Sequence, residues 1–397
     1  MNLKNHVNIS LGYFILAAIL GVVLRSFHSI EIPATYKFIV HTHSHIALLG
    51  WVYMGLTTLL YKLFLEKQGF DKKYRHIFWF TQLTLVGMLL SFPFQGYALF
   101  SIIFSTLFLF ASYWFTWFFM KYVPASYKKT NAYKCVKYAL WYMVISSIGP
   151  WTLGAIMTTV GAESIWYRLA IYFYLHYQYN GWMVLGLLGV FIYVLERNKI
   201  VIPKVTFNRF FWLVNLGIVL SFFLSTLWTK PPIVLNFVGG VGAVLQVVAL
   251  SVLISFLATY RNDSGMVFSR FHYILLKTIA VLLFVKMGLQ LLTSIPYFAN
   301  LAASIVDFTI GYLHWTFLGV VTLGLFLFLN YFKLMRLPRI SLILYLIGFV
   351  LTEALIFYKG IMAWQRIPIF DGYFESLALG SLLILVSLVS LLKPKWG

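Results

Sequence analysis

Phe38-Ile39-Val40-His41-Thr42-His43-Ser44-His45-Ile46-Ala47-Leu48-Leu49-Gly50-Trp51-Val52-Tyr53-Met54-Gly55-Leu56-Thr57-Thr58-Leu59-Leu60-Tyr61 contains no carboxylate, lysine or arginine. A run of this length matches the roughly 20 apolar residues that carry a helix across a bilayer. Backbone groups in lipid must be paired within the spanning structure, so such a run is a helix or a barrel strand. It is too long and too continuous for a barrel strand, which alternates over about 10 residues. The same stretch carries three histidines, His41, His43 and His45. Ionisable side chains inside a membrane are rare and are functional-site candidates by default.

Runs of this kind recur along the whole chain. We read twelve spans, at 8–27, 38–61, 77–95, 98–120, 136–160, 165–195, 208–228, 232–259, 272–295, 303–332, 340–358 and 373–392. Hydrophobic residues make up 61% of the 397 and charged residues only 10%, with a mean hydropathy of +0.88. A soluble domain carries about 25% charged residues, so the composition excludes one here. The fold expected is an all-α, polytopic membrane protein whose residues 1–397 form a single twelve-helix domain. No internal repeat, low-complexity tract or linker stands out on this reading. The net charge of +20 does not point to nucleic acid, because the basic residues are scattered through short loops rather than gathered on one face. The lone cysteine, Cys135, excludes an internal disulfide and any cysteine-rich metal site. The first apolar run lacks a small-residue cleavage pattern, so a cleaved signal is not expected.

Basic residues cluster after even-numbered spans: Lys62, Lys67, Lys72, Lys73 and Arg75; Lys121, Lys128, Lys129, Lys134 and Lys137; Arg197, Lys199, Lys204 and Arg209; Arg261 and Arg270; Lys333, Arg336 and Arg339. Odd-numbered breaks carry few: Arg25 and Lys37, Arg168, Lys230, Lys359 and Arg366. The positive-inside rule then predicts both termini in the cytoplasm and residence in a bacterial inner membrane. Under that topology His41, His43, His45, His176 and His314 share one layer of the bilayer. His6, His28, His76 and His272 fall at flanks or helix ends, where interfacial positions imply no site.

Three segments carry candidate chemistry. On a helix, His41 and His45 share a face while His43 points elsewhere; the bland reading is a hydrated helix end. In Asp307-Phe308-Thr309-Ile310-Gly311-Tyr312-Leu313-His314, Gly311 admits close approach of a flat ligand or a neighbouring helix; the bland reading is one interhelical hydrogen bond. Tyr174-Leu175-His176-Tyr177-Gln178-Tyr179-Asn180-Gly181-Trp182 is unusually polar for mid-span, which fits either a ligand or a packing network. Histidines from separate spans suit a haem, which needs one imidazole on each face for bis-histidine ligation. Lys230, Lys286 and Arg168 are cationic candidates for its propionates. Lys286, Gln290, Asp307 and Glu353 form a buried polar set, read either as an ion-pair network, with Lys286 paired to Asp307 or Glu353, or as a proton or ion route.

These segments and the twelve-span layout resemble the catalytic subunit (subunit I) of the haem–copper oxidases, most closely its C-family, cbb-type branch. The helix-ten pattern of that family, Asp-Trp-Thr-Val-Gly-His-Val-His, is similar to Asp307 through His314. His41-Thr42 through Gly50 resembles the helix-two pattern, and Leu175-His176 through Gly181-Trp182 more weakly resembles the helix-six pattern. The resemblance implies a subunit I-like bundle, a low-spin haem between His314 and a histidine of span two, and copper at His176. Tyr312 stands where the high-spin haem ligand is expected, and no histidine lies between Tyr177 and Phe271 to supply the copper pair. The implied protein is therefore a respiratory-type oxidoreductase relative without the oxygen-reducing centre.

Three readings follow. The leading one is a membrane protein with one haem b, serving electron transfer or the handling of a small gas such as nitric oxide or oxygen. His41, His45 and His314, with Tyr312 and Gly311, line the haem, and His176 and His43 hold a metal. Other membrane or cytochrome subunits are its expected partners beside the lipid bilayer. The second is a haem-free copper or zinc site formed by His41, His45, His176 and His314. The third is a transporter using Lys286, Gln290, Asp307 and Glu353. Covalent haem attachment is not expected, since Cys-x-x-Cys-His is absent.

Overall fold

The computed structural model describes residues 2–260 and 267–392. Among them every regular element is helical. Twelve helices are long and apolar enough to cross a membrane: α1 Leu3–Ser26, α2 Tyr36–Phe64, α3 Asp71–Gln95, α4 Leu99–Tyr122, α5 Asn131–Thr159, α6 Ile165–Arg197, α7 Lys204–Thr229, α8 Val234–Thr259, α9 Arg270–Leu292, α10 Val306–Tyr331, α11 Arg339–Gln365 and α12 Tyr373–Ser390. The chain is an all-α integral membrane protein. Each predicted span corresponds to one of these helices, and about half of the ends extend by a few residues. The largest extension is in α11, which runs on to Gln365, so Lys359 lies inside a helix rather than in a loop. Large apolar side chains stand almost bare on the outside, Phe94 at 82%, Ile340 at 81% and Phe237 at 73% exposure. Such exposure is costly in water and ordinary in lipid. Arg261 lies outside the described residues.

The helices group into two compact units, one formed by Met1–Pro124 with Leu325–Gly397 and the other by Ala125–Gly324. Lipid is as apolar as leucine, so membrane helices are held mainly by close packing and interhelical hydrogen bonds rather than by burial from water. In the first unit α1 presses onto α2 at Gly50, where an added Cβ would lie 2.6 Å from Tyr13 Cβ. Phe14 stacks on Trp51 at 5.0 Å, and both abut Phe326. The Tyr13 hydroxyl donates to Gln82 Oε1 at 2.9 Å, tying α1 to α3. His6, expected at an interface, is buried and stacks on Phe78 at 3.6 Å. His28 is exposed beside Phe374; partial burial, then the charges of Lys359 and Arg25, lower its pKa.

In the second unit α5 is capped by a carboxylate from α6. Glu196 accepts from the backbone N–H groups of Asn131 at 2.8 Å and Ala132 at 3.4 Å, the orphan donors of a helix start. α7 and α8 meet at small residues, where a Cβ at Gly217 would lie 2.9 Å from the Gly242 carbonyl oxygen. Gln246 Nε2 donates across that seam to Gly217 O and Ser221 Oγ.

Candidate functional site

Three of the five intramembrane histidines sit at the same kind of backbone junction. In α2, α6 and α10 the α-helical turn ends at His45, His176 and His314, and a π-helical segment follows each: Ile46–Tyr53, Tyr177–Val184 and Trp315–Thr322. π-Helical turns are rare and concentrate at functional sites, because they break the regular hydrogen-bond ladder and re-aim side chains. The sequence around each junction is the same: His45-x4-Gly50-x4-Gly55, His176-x4-Gly181-x4-Gly186 and His314-x4-Gly319-x4-Gly324. The first glycine takes a tyrosine of the preceding helix in two of the three. A Cβ at Gly50 would lie 2.6 Å from Tyr13 Cβ, and one at Gly181 would lie 2.5 Å from Tyr142 Cβ. Trp51 and Trp182, which follow those glycines, are both fully buried. The pattern is a threefold repeat on every fourth helix. Sequence inspection for contiguous similarity misses it because only three positions in eleven are constrained; aligning the histidines themselves finds it.

In the first unit the three histidines of α2 have different partners. His43 donates from Nδ1 to the Ala17 carbonyl of α1 at 2.8 Å, and its ring lies against Gly21, where a Cβ would come 3.3 Å from Cε1. With the proton on Nδ1, Nε2 carries the lone pair, and it meets no hydrogen-bond partner among the described residues. His45 donates from Nδ1 to the His41 carbonyl at 2.8 Å, while Nε2 meets the Tyr97 hydroxyl at 3.3 Å and the ring stacks on Phe92. His41 packs edge-on against Tyr97 at 4.7 Å. His41 and His45 thus share a face, as the spacing predicts, and that face meets Tyr97 and Phe92. Glu353 of α11 is 2% exposed in the same unit, and the Arg25 charge acts on both His43 and Glu353.

The second unit assembles a cluster of seven polar side chains. His176 donates from Nε2 to the Ile218 carbonyl of α7 at 2.8 Å. Its Nδ1 therefore accepts, and it meets Asn180 Nδ2 at 3.3 Å and Ser225 Oγ at 3.4 Å. Asn180 Oδ1 accepts from the ammonium of Lys286 on α9, which also donates to Gln290 Oε1 at 2.6 Å. Gln290 Oε1 accepts in turn from the Tyr312 hydroxyl at 3.2 Å, and the Tyr179 ring packs edge-on against that of Tyr312 at 6.2 Å. The Lys286 nitrogen lies over the rings of Tyr179 and Tyr312, 5.6 and 5.8 Å from their centroids. His176 and Lys286 are each 1% exposed.

This arrangement brings together Lys286, Gln290, His176 and Tyr312, which sequence reasoning placed in separate groups. Within this unit it does not pair Lys286 with Asp307. Asp307 occupies the first turn of α10, where a carboxylate complements the helix dipole. Gly311 is buried one turn before His314. Of the two other cations proposed near propionate depth, Arg168 stacks on Trp228 at 4.3 Å and Lys230 is exposed. His176 has both nitrogens engaged, so a metal there has to displace Asn180 and Ser225. Among the described residues no three or more His, Cys, Asp or Glu side chains come together as a metal site. No family model matches the chain, and no curated protein matches it.

Proposed function

We propose that the chain is a membrane haem protein of the bacterial inner membrane, with one b-type haem and both termini cytoplasmic, serving electron transfer or the handling of a small gas. The observation that carries this reading is the geometry of His43. A neutral imidazole anchored through Nδ1–H to a backbone carbonyl, with its Nε2 lone pair uncommitted, is the arrangement that orients histidine as an axial or metal ligand. His43, rather than His41 or His45, is then the ligand from α2. The residue fits the group on donor chemistry, an imidazole lone pair with no thiolate and no carboxylate beside it. When bound, such a haem supplies one-electron redox chemistry and visible absorption; the chain's part is to fix the ligand ring.

Purified protein from haem-replete cells is expected to show a Soret band that shifts on reduction. His43→Ala should weaken or abolish it, and His45→Ala should leave it largely intact. A colourless wild-type preparation overturns the reading. A Soret band insensitive to His43→Ala overturns the ligand assignment.

A further inference from the structure

The polar cluster of the second unit contains a cation that meets no carboxylate among the described residues. Lys286 is fully buried, and every group it touches is an amide oxygen or an aromatic face: Asn180 Oδ1, Gln290 Oε1, Tyr179 and Tyr312. An ammonium has three donors and no acceptor, and acceptor oxygens with π faces are the surroundings it needs. A neutral amine carries a lone pair, and none of these contacts supplies a donor to it. The site is therefore built for the charged form, yet none of its contacts is a carboxylate. Buried charges are normally paired, because an isolated one loses its hydration without recompense.

A second observation points to what completes the site. Gln290 is 6% exposed, and its Nε2 is a buried donor with no acceptor among the described residues. The orientation of this amide is fixed, since Oε1 must face both the Lys286 ammonium and the Tyr312 hydroxyl. Nε2 is therefore an N–H group beside an ammonium whose two identified acceptors leave a third N–H unassigned. Two donors and one positive charge lack an acceptor and one negative charge.

We propose that this cluster is a binding site for a small monovalent anion of halide or nitrite size, held by Lys286 Nζ and Gln290 Nε2. The surrounding His176, Asn180, Ser225, Tyr179 and Tyr312 hold the two donors in place. The site lies wholly within the second unit and does not depend on haem binding.

The test uses the full chain in detergent, prepared in gluconate, an anion too large for the site, and titrated with chloride, bromide or nitrite at constant ionic strength. The wild-type unfolding temperature is expected to rise saturably with the small anions. Crystals grown with bromide should show anomalous density within hydrogen-bonding distance of Lys286 Nζ. Gln290→Glu places a carboxylate beside the ammonium with little change of volume. It should lower anion affinity at least tenfold, while the protein remains folded and gains stability in gluconate. Lys286→Met should likewise be unresponsive; if it fails to fold, Gln290→Glu decides. A wild-type unfolding temperature that does not distinguish the small anions from gluconate overturns the proposal. So does a Gln290→Glu protein that retains the wild-type anion response.

Discussion

Replacing Gly181 with alanine tests whether the histidine–glycine junction is a rigid packing unit. The added Cβ would lie 2.5 Å from both Cβ and Cγ of Tyr142, and 3.0 Å from Cδ2. Carbon atoms pack at about 3.5–4.0 Å, so α5 and α6 must separate by roughly 1 Å. Tyr142 has little room to yield. Its hydroxyl donates to the Asn215 carbonyl at 3.3 Å, and its ring stacks on Tyr177 at 5.7 Å and 10°. Overpacking of this kind costs about 1–3 kcal/mol, and loss of the already long hydrogen bond adds about 1 kcal/mol. For a unit of this size each kcal/mol lowers the unfolding temperature by about 2–4 °C, giving a fall of roughly 4–16 °C. Gly154→Ala is the control, since nothing lies within 4 Å of its added Cβ. The equivalent change in the first unit, Gly50→Ala, should behave like Gly181→Ala, because Tyr13 is pinned in the same way by Gln82. Thermal unfolding in detergent reads all three. If Gly181→Ala melts together with Gly154→Ala, the junction is soft and its repetition carries no mechanical meaning.

Two further substitutions separate structural from ligand roles. His176→Ala should destabilise the chain by about 1–3 kcal/mol by orphaning the Ile218 carbonyl. It should leave the metal content unchanged; loss of one equivalent of copper or zinc by elemental analysis would restore the metal reading for this residue. Glu196→Ala should cost about 1–2 kcal/mol in thermal unfolding by uncapping α5, with Glu196→Gln intermediate. Equal stability of all three proteins at position 196 would remove the capping role.

The membrane fold was legible because lipid imposes one simple demand, a long apolar helix for each crossing. The one boundary that moved most, the end of α11, did so at Lys359. Lysine is a good helix former, and its long stem lets the charge reach the interface while the backbone stays helical. The polar site was less legible. Charge pairing suggested Asp307 or Glu353 for Lys286, yet the chosen partners are neutral oxygens. Half of that choice was visible locally, since Gln290 lies four residues from Lys286 on the same helix face. The other half, Asn180, comes from a helix distant in sequence, and no spacing rule reaches it. The π-helical segments were not legible at all, because two of the three are as apolar as the helix around them and the polar residues of the third, Gln178 and Asn180, carry no signal of backbone geometry.

The threefold junction separates what the backbone does from what each histidine does. The turn from α to π geometry and the two glycines recur, so the scaffold at His45, His176 and His314 is one solution used three times. The residue four positions after the histidine differs: Leu49, Asn180 and Leu318. A leucine offers no donor to an imidazole, whereas Asn180 turns its Nδ2 to His176 Nδ1 and its Oδ1 to Lys286. That one side chain occupies the histidine's remaining lone pair and recruits the ammonium. On α2, by contrast, His43, two residues before the junction, keeps an uncommitted Nε2. Imidazole chemistry on this fold is thus decided by the neighbour that reaches the second nitrogen. The same backbone then leaves an imidazole lone pair open beside one junction and builds a charge-holding cluster at another.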